Sequence, residues 1–326
     1  MLQRFYPDYY YNSTYEIDFN YYYNIGIRGI IFDIDNTLVP HGADADERAI
    51  QLFRELKKIG FSTCLLSNNK EPRVMRFNQS IQSEYIYKAG KPGRKGYQRA
   101  MECMGTSVEQ TMFVGDQLFT DVWGAKMLGI ICLLVRPIHP KEEIQIVLKR
   151  YLERIVLHSY CKKKDTILIG FMGTGKSTIG KLLAKKQNRL FIDTDSYIES
   201  KEGRSISDIF EQKGEAYFRS LETEILKELK EITHNAVIAT GGGLPLRQEN
   251  AELLSQMGEV IYLQTSADTI LERLKGDTTR PLLNTENPRA RVEQLLGERD
   301  EKYMAASEKK LVTDGLSAEE IVAILD

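Results

Sequence analysis

The stretch TILIGFMGTGKSTIG, residues 166–180, decides the architecture. An apolar run passes into a glycine-rich turn, then Lys176-Ser177-Thr178, then residues with helical spacing. Gly170 to Ser177 fits G-x-x-x-x-G-K-[ST] in full. Glycines at these positions let successive backbone N–H groups wrap a phosphate chain, and the following helix presents its positive N-terminal end to the same anions. Gly173, Thr174, Gly175, Lys176, Ser177 and Thr178 are therefore the expected nucleotide contacts, with Lys176 reaching the β- and γ-phosphates and Ser177 taking Mg²⁺. Such a loop follows the first strand of its domain. Here about half of the residues come before it, so a complete domain should precede it.

Composition agrees. A chain of 326 residues predicts two domains of about 150 residues each. The net charge of -2 gives no broad attraction to nucleic acid. No apolar run approaches the ~20 residues of a membrane helix, and the first 26 residues lack the apolar centre of a secretion signal. Cys64, Cys103, Cys132 and Cys161 are widely spaced, which reads as a reduced, cytoplasmic chain. Eight of the 17 tyrosines lie in the first 23 residues. Tyrosine combines an apolar body with a polar tip, so this segment is expected to pack on its own domain, with a membrane-surface or partner contact as the alternative.

Two α/β units follow from the pattern. GIIFDIDNTLV (29–39) reads as an apolar strand ending in carboxylates, and ADERAIQLFRELKKIG (45–60) as a helix that stops at a glycine. FSTCLLSNN (61–69), YIYKAGKP (85–92), TMFVGDQ (111–117) and GIICLLV (129–135) read as further strands. GYQRAMECMG (96–105) and TDVWGAKMLG (120–129) read as helices between them. Alternation of this kind implies a mainly parallel sheet. KEEIQIVLKRYLERIVLHSYCKKKD (141–165) reads as a terminal helix plus linker, with a boundary near residue 160: domains 1–160 and 161–326.

In the first unit the chemistry sits at strand ends, where open α/β sheets hold their ligands. Asp33 and Asp35 alternate along a strand and so can point the same way. Asp116 and Asp121 lie in VGDQLFTD, Ser67 closes CLLS, and Lys91 follows in AGKPG. Carboxylates grouped this way suit Mg²⁺. DIDNT, LLSNN, KP and GDQLFTD together resemble the haloacid dehalogenase (HAD) superfamily of phosphatases over about residues 1–145, with wording closest to YqeG-like members of subclass III-A. The resemblance implies a Rossmannoid fold and assigns roles. Asp33 would be the nucleophile and Asp35 the general acid and base. Ser67 and Lys91 would hold the phosphoryl group. Asp33, Asp35, Asp116 and Asp121 would make up the metal site. Only 31 residues separate Asp35 from Ser67 and 23 separate Ser67 from Lys91, so neither gap holds a cap domain. An open site suits a bulky phosphoester: a protein, a nucleic acid end or a lipid head group. The wording of GDQLFTD is also similar to that of phosphatidylglycerophosphate phosphatases.

In the second unit FIDTDSYIE (191–199), EAYFRSLETEIL (215–226), VIATGGGLPL (237–246), RLKGDTTRPLL (273–283) and GERDEKY (297–303) must supply the acceptor side. Asp193 and Asp195 close a strand. Arg219 and Arg299 are candidates to fork onto a carboxylate. Gly241, Gly242 and Gly243 allow close backbone approach. Arg280 is placed to swing over the phosphates. In this order the motifs resemble shikimate kinase over about residues 164–326, which implies a P-loop fold like that of the nucleoside monophosphate kinases. The resemblance implies ATP as co-substrate and shikimate as acceptor, with Asp195 as base. Arg219, Arg299 and the glycine triplet would hold shikimate, Asp193 and Ser177 would sit at Mg²⁺, and Arg273 and Arg280 would sit at ATP. Glu222 would orient an arginine. A gluconate-type kinase fused to a non-catalytic HAD-like module is the competing reading.

Overall fold

The computed structural model describes residues 2–139, 144–275 and 287–326. The chain divides into two compact units, Met1–Lys162 and Lys163–Asp326. Both are α/β units built on parallel sheets.

Among the described residues the N-terminal unit has six strands: β1 (Tyr9–Tyr11), β2 (Gly29–Phe32), β3 (Ser62–Leu66), β4 (Glu84–Ile86), β5 (Thr111–Gly115) and β6 (Ile131–Val135). Their order is β1-β6-β5-β2-β3-β4, every neighbouring pair parallel. Among the described residues its helices are α1 (Phe19–Asn24), α2 (Glu47–Ile59), α3 (Glu71–Ile81), α4 (Arg94–Met104), α5 (Trp123–Lys126) and α6 (Ile144–Cys161). Local chemistry sets the boundaries of α2. The Asp46 carboxylate accepts from Ala49 N–H at 2.9 Å, Ala49, Leu52, Phe53 and Leu56 form one buried stripe, and Gly60 ends the helix at φ 110°.

After β2 the chain builds β3 and β4 on one side and then returns to place β5 on the other. The switch point between β2 and β5 is where such a sheet offers a crevice. In register, Phe32 pairs with both Leu65 and Val114, so Asp33, Ser67 and Asp116 emerge at one sheet edge. Residues 36–66 hold only α2 and β3, and residues 68–90 only α3 and β4, so no cap is inserted.

The tyrosine-rich start is interior. Tyr6, Tyr9, Tyr11, Tyr21 and Tyr22 are buried, β1 extends the sheet edge, and the Tyr11 and Tyr22 hydroxyls lie 3.0 Å apart. The expected linker helix also belongs to this unit. Glu153, Val156 and Tyr160 of α6 are buried, and Val156 and Tyr160 share a core with Phe5 and Phe113.

Packing ties this core to the site. The Tyr97 hydroxyl donates to the carbonyls of Thr120 and Asp121 at 3.0 and 3.1 Å. Gly124 lies against that ring, and a Cβ there would meet Tyr97 Cε2 at 2.5 Å. Gly124→Ala is expected to cost about 1–3 kcal/mol by overpacking, read as a lower denaturation midpoint; a midpoint equal to the parent's would contradict this packing.

Among the described residues the C-terminal unit has five strands: β7 (Asp165–Ile169), β8 (Phe191–Asp193), β9 (Val237–Ala239), β10 (Gly258–Gln264) and β11 (Lys309–Val312). Their order is β11-β10-β7-β9-β8, again all parallel. Among the described residues its helices are α7 (Lys176–Gln187), α8 (Thr194–Glu202), α9 (Ile206–Ile232), α10 (Gln248–Met257), α11 (Ala267–Arg273), α12 (Pro288–Ala305) and α13 (Ala318–Leu325). Alpha 9 kinks at Gly214, whose φ is 81°. The sheet is central and buried: Ile167, Leu168, Ile238, Val260 and Leu263 are fully enclosed, which is why these strands read as continuous apolar runs. Among the described residues no helix is long and apolar enough to cross a membrane.

Candidate active sites

At the N-terminal sheet edge, Asp33, Asp116 and Asp121 are buried with carboxylate oxygens within 4.8 Å of one another. Lys91, also buried, reaches into them: its Nζ donates to Asp33 Oδ1 at 2.6 Å and lies 2.8 Å from Asp121 Oδ1. Asp121 Oδ2 in turn accepts from Gln117 N–H at 3.0 Å. Burial pushes Asp33 up to about 7, with Lys91 opposing and Asp121 adding to the rise. Burial likewise drives Asp116 upward, against the pull of Arg150 and with repulsion from Asp121 and Asp33. Burial alone would lower Lys91, but Asp121 and Asp33 outweigh it and hold the ammonium charged. The triad's all-oxygen donor set fits a hard divalent cation.

Other expected residues sit around this triad. Ser67 is buried at the same edge, and its hydroxyl accepts from Asn69 N–H at 3.2 Å. Asn68 joins the Ser67 loop to the Lys91 loop by accepting from Lys91 N–H at 2.8 Å and donating to its carbonyl at 3.2 Å. The Asp35 carboxylate is not brought into the triad. It accepts from Asn69 Nδ2 at 2.5 Å, Arg73 Nη2 at 2.9 Å and Gly42 N–H at 2.7 Å.

In the C-terminal unit the loop after β7 takes the expected form. Gly170, Gly173 and Gly175 have positive φ, and α7 begins at Lys176. Lys176 Nζ donates to the carbonyls of Gly170 and Phe171 at 2.9 and 2.8 Å. Ser177 Oγ donates to Asp193 Oδ2 at 2.5 Å, while Asp193 Oδ1 caps α8 through Asp195 and Ser196 N–H. Arg273 Nη1 donates to the Thr174 carbonyl at 3.2 Å.

The glycine triplet meets all sides of this site. A Cβ on Gly241 would collide with Asp195 Oδ1, and one on Gly243 would lie 2.5 Å from Arg219 Nη1. Gly242 is backed by the phosphate loop, with Met172 N 3.4 Å from its Cβ position. Arg219 is held by Glu222 at 2.9 Å and by Glu215 at 2.9 Å. Burial raises Glu222 to about 7, opposed by Arg219 and aided by the nearby Asp195. The Arg299 guanidinium lies 5.5 Å from the centre of the Phe171 ring, and Tyr303 Oη donates to the Gly242 carbonyl at 2.6 Å. Arg280 falls outside the described residues.

Each unit matches a family model. Residues 172–325 match the family model described as shikimate kinase. The shikimate kinase of Sulfurihydrogenibium sp. is 47% identical over 146 residues, which are 44% of this chain and 85% of that protein. Through its C-terminal half the chain belongs to the shikimate kinase family. The shikimate kinase of Thermodesulfovibrio yellowstonii is 46% identical over 158 residues, 48% of this chain and 90% of that protein. A solved shikimate kinase from Acinetobacter baumannii, in complex with shikimate, aligns over 52% of this chain and 93% of its own length, at 38% identity and a TM-score of 0.48. Upstream of the shikimate kinase domain, residues 42–129 match the model described as haloacid dehalogenase-like hydrolase. That match includes Ser67, Lys91, Asp116 and Asp121 and begins after Asp33 and Asp35. The chain therefore joins a HAD-like hydrolase domain to a shikimate kinase domain.

Sequence reasoning misses Asn69, Arg73, Arg150 and Glu153. Asn69 and Arg73 follow Ser67 in SNNKEPR, and their signal is the cluster of polar residues just past a strand end. Arg150 pairs with Asp116 Oδ2 and donates to the Asp116 carbonyl at 2.6 Å. It lies in α6, far downstream in sequence, and no local pattern signals it.

Proposed function

We propose that the chain is bifunctional. Its C-terminal half transfers the γ-phosphoryl of ATP to the 3-hydroxyl of shikimate, and its N-terminal half hydrolyses a bulky phosphoester. The carrying observation is the glycine triplet: a Cβ on Gly241 or Gly243 would clash with Asp195 or Arg219, and one on Gly242 would meet the phosphate loop at van der Waals distance. This arrangement supports a reading in which Asp195 is the proton acceptor, residues 170–177 the phosphate cradle and Arg219 part of a carboxylate clamp. Asp195 accepts the hydroxyl proton as the new O–P bond forms and the β–γ bridging P–O bond breaks, releasing ADP. Arg219, steadied by Glu222, and Arg299 hold the carboxylate of shikimate, and Arg273 flanks the nucleotide. Lys176 neutralises charge on the phosphates. Ser177 and Asp193 would hold Mg²⁺, which lowers the charge repulsion between acceptor and triphosphate. The four free cysteines suit a reducing, cytoplasmic setting.

In the N-terminal half Asp33 attacks phosphorus while the ester P–O bond breaks, and the leaving oxygen takes a proton from Asp35. Water then gives its proton to Asp35 and attacks phosphorus as the bond between phosphorus and the Asp33 oxygen breaks, which releases inorganic phosphate and restores Asp33. For this role Asp35 must exchange its Arg73 contact for the leaving oxygen. Ser67 and Lys91 steady the phosphoryl oxygens. Asp33, Asp116 and Asp121 would hold Mg²⁺, which offsets the repulsion between two anions. The motif wording supports a YqeG-like, subclass III-A identity, and the uncapped edge favours a phosphoester carried on a large body such as the head group of phosphatidylglycerophosphate.

The full chain should turn over ATP with shikimate and not with gluconate, and Asp195→Asn should lower kcat by about 10²–10⁴-fold, the contribution of a positioned base. A preference for gluconate would sink the acceptor assignment. Phosphate release from phosphatidylglycerophosphate vesicles, against an Asp33→Asn control, tests the lipid head group.

A further inference from the structure

We infer that Arg150 of α6 is the protein's own counter-cation at Asp116, and that a divalent cation entering the Asp33–Asp116–Asp121 triad competes with it. Cation loading then loosens the turn of α6 that carries Arg150 and Glu153. The inference rests on the reading of the triad as a cation site.

The contacts are specific. Arg150 Nη2 pairs with Asp116 Oδ2, while Nη1 donates to the Asp116 carbonyl at 2.6 Å and to Glu153 Oε2 at 2.9 Å. The other Glu153 oxygen accepts from Leu118 and Phe119 N–H at 2.7 and 3.3 Å. One turn of α6 thus grips the loop from Asp116 to Phe119 at both its carboxylate and its amides. The grip is sheltered from water: the side chain of Asp116 has no exposed surface, Glu153 is 4% exposed and Arg150 17%.

Charge decides the direction of the effect. Three triad carboxylates face Lys91 and Arg150, and Arg150 also pairs with Glu153, so the two protein cations already offset part of the negative charge. Among the described residues the remaining Asp116 oxygen, Oδ1, has one long contact, 3.4 Å from the Thr37 hydroxyl, and is the oxygen not paired with Arg150. A doubly charged ion bound there lies one carboxylate away from the guanidinium, in a region where water screens little. Binding of the ion and retention of the Arg150 pair therefore oppose each other. The rest of α6 has independent anchors in buried Val156 and Tyr160 and in the Tyr6–Ser159 hydroxyl contact at 2.8 Å. Loosening should accordingly stop short of residue 156.

The test uses the full chain without nucleotide. MgCl₂ is titrated while hydrogen exchange is followed in peptides covering residues 149–153 and 156–160, and Mg²⁺ affinity is measured calorimetrically for the parent, Arg150→Gln, Arg150→Lys and Asp33→Asn. The expected result is faster exchange in 149–153 with Mg²⁺, unchanged exchange in 156–160, and about tenfold tighter Mg²⁺ binding by Arg150→Gln. Arg150→Lys, which keeps the charge, should stay near the parent, and Asp33→Asn should lose the exchange response. Parent-like or weaker Mg²⁺ binding by Arg150→Gln, with the triad still binding Mg²⁺, overturns the competition alone. Exchange in 149–153 that ignores Mg²⁺ under those conditions does the same, and this measurement does not depend on any variant folding. If Asp33→Asn leaves Mg²⁺ binding unchanged, the triad is not the cation site and both readings fall.

Discussion

Lys176→Ala should lower kcat for ATP-dependent phosphorylation of shikimate by about 10³-fold, the scale seen when one preorganised donor to a developing anion is removed. The ammonium is buried at the end of the phosphate loop and fixed between the Gly170 and Phe171 carbonyls, so it is positioned before any phosphate arrives. Alanine removes both the charge and the tether. The loop backbone should survive, because Gly170, Gly173 and Gly175 supply the positive φ angles it needs. Loss should therefore appear mainly in kcat, with a denaturation midpoint close to the parent's. A variant retaining kcat within tenfold of the parent would show that Lys176 does not serve the transferred group.

Asp33→Asn should abolish hydrolysis of p-nitrophenyl phosphate by the full chain, a loss of at least about 10³-fold, because an amide cannot form the acyl phosphate that divides the reaction into two steps. Undiminished hydrolysis would remove Asp33 from the chemistry. A pH effect accompanies the change. With no divalent cation added, Asp33 titrates near 7 in the fold, above an ordinary aspartate. Between those two values the folded state holds more protons than the unfolded one, so stability falls as pH rises through the window. Melting curves at pH 5 and pH 8 should show a smaller drop for Asp33→Asn than for the parent; equal drops would mean that Asp33 carries no such cost.

The legible parts of the fold are those with a strong local period or a hard stop. Alpha 2 is readable because Ala49, Leu52, Phe53 and Leu56 repeat on one face and Gly60 ends it. The phosphate loop is readable because only glycine tolerates its backbone angles, so the chemistry is written in residue types. β1 is not legible as a strand, since three consecutive tyrosines carry no alternation and their pairing with β6 spans more than a hundred residues. The helix expected over 120–129 begins instead as a wide turn at Leu118–Val122, which lets Asp121 point back to Lys91. The pattern over α6 predicts helix and linker. Its Arg150 and Glu153 look in sequence like one more pair of solvated charges, and only the tertiary fold turns them onto the Asp116 loop. Asp35 shows the opposite failure: alternation along the strand places it beside Asp33, yet Asn69 and Arg73 draw its carboxylate elsewhere.

The opening and closing segments of the N-terminal unit meet. Tyr6 touches Ser159 through its hydroxyl and lies near Tyr160, with ring centres 5.3 Å apart. A body whose entrance and exit adjoin can be spliced onto another polypeptide at one spot without threading the new chain through its interior. This closure gives a physical reason to expect that the N-terminal unit tolerates circular permutation. A circular permutant joining residue 161 to residue 2 by a few glycines, and reopened at the Gly42 turn, should keep the sheet intact.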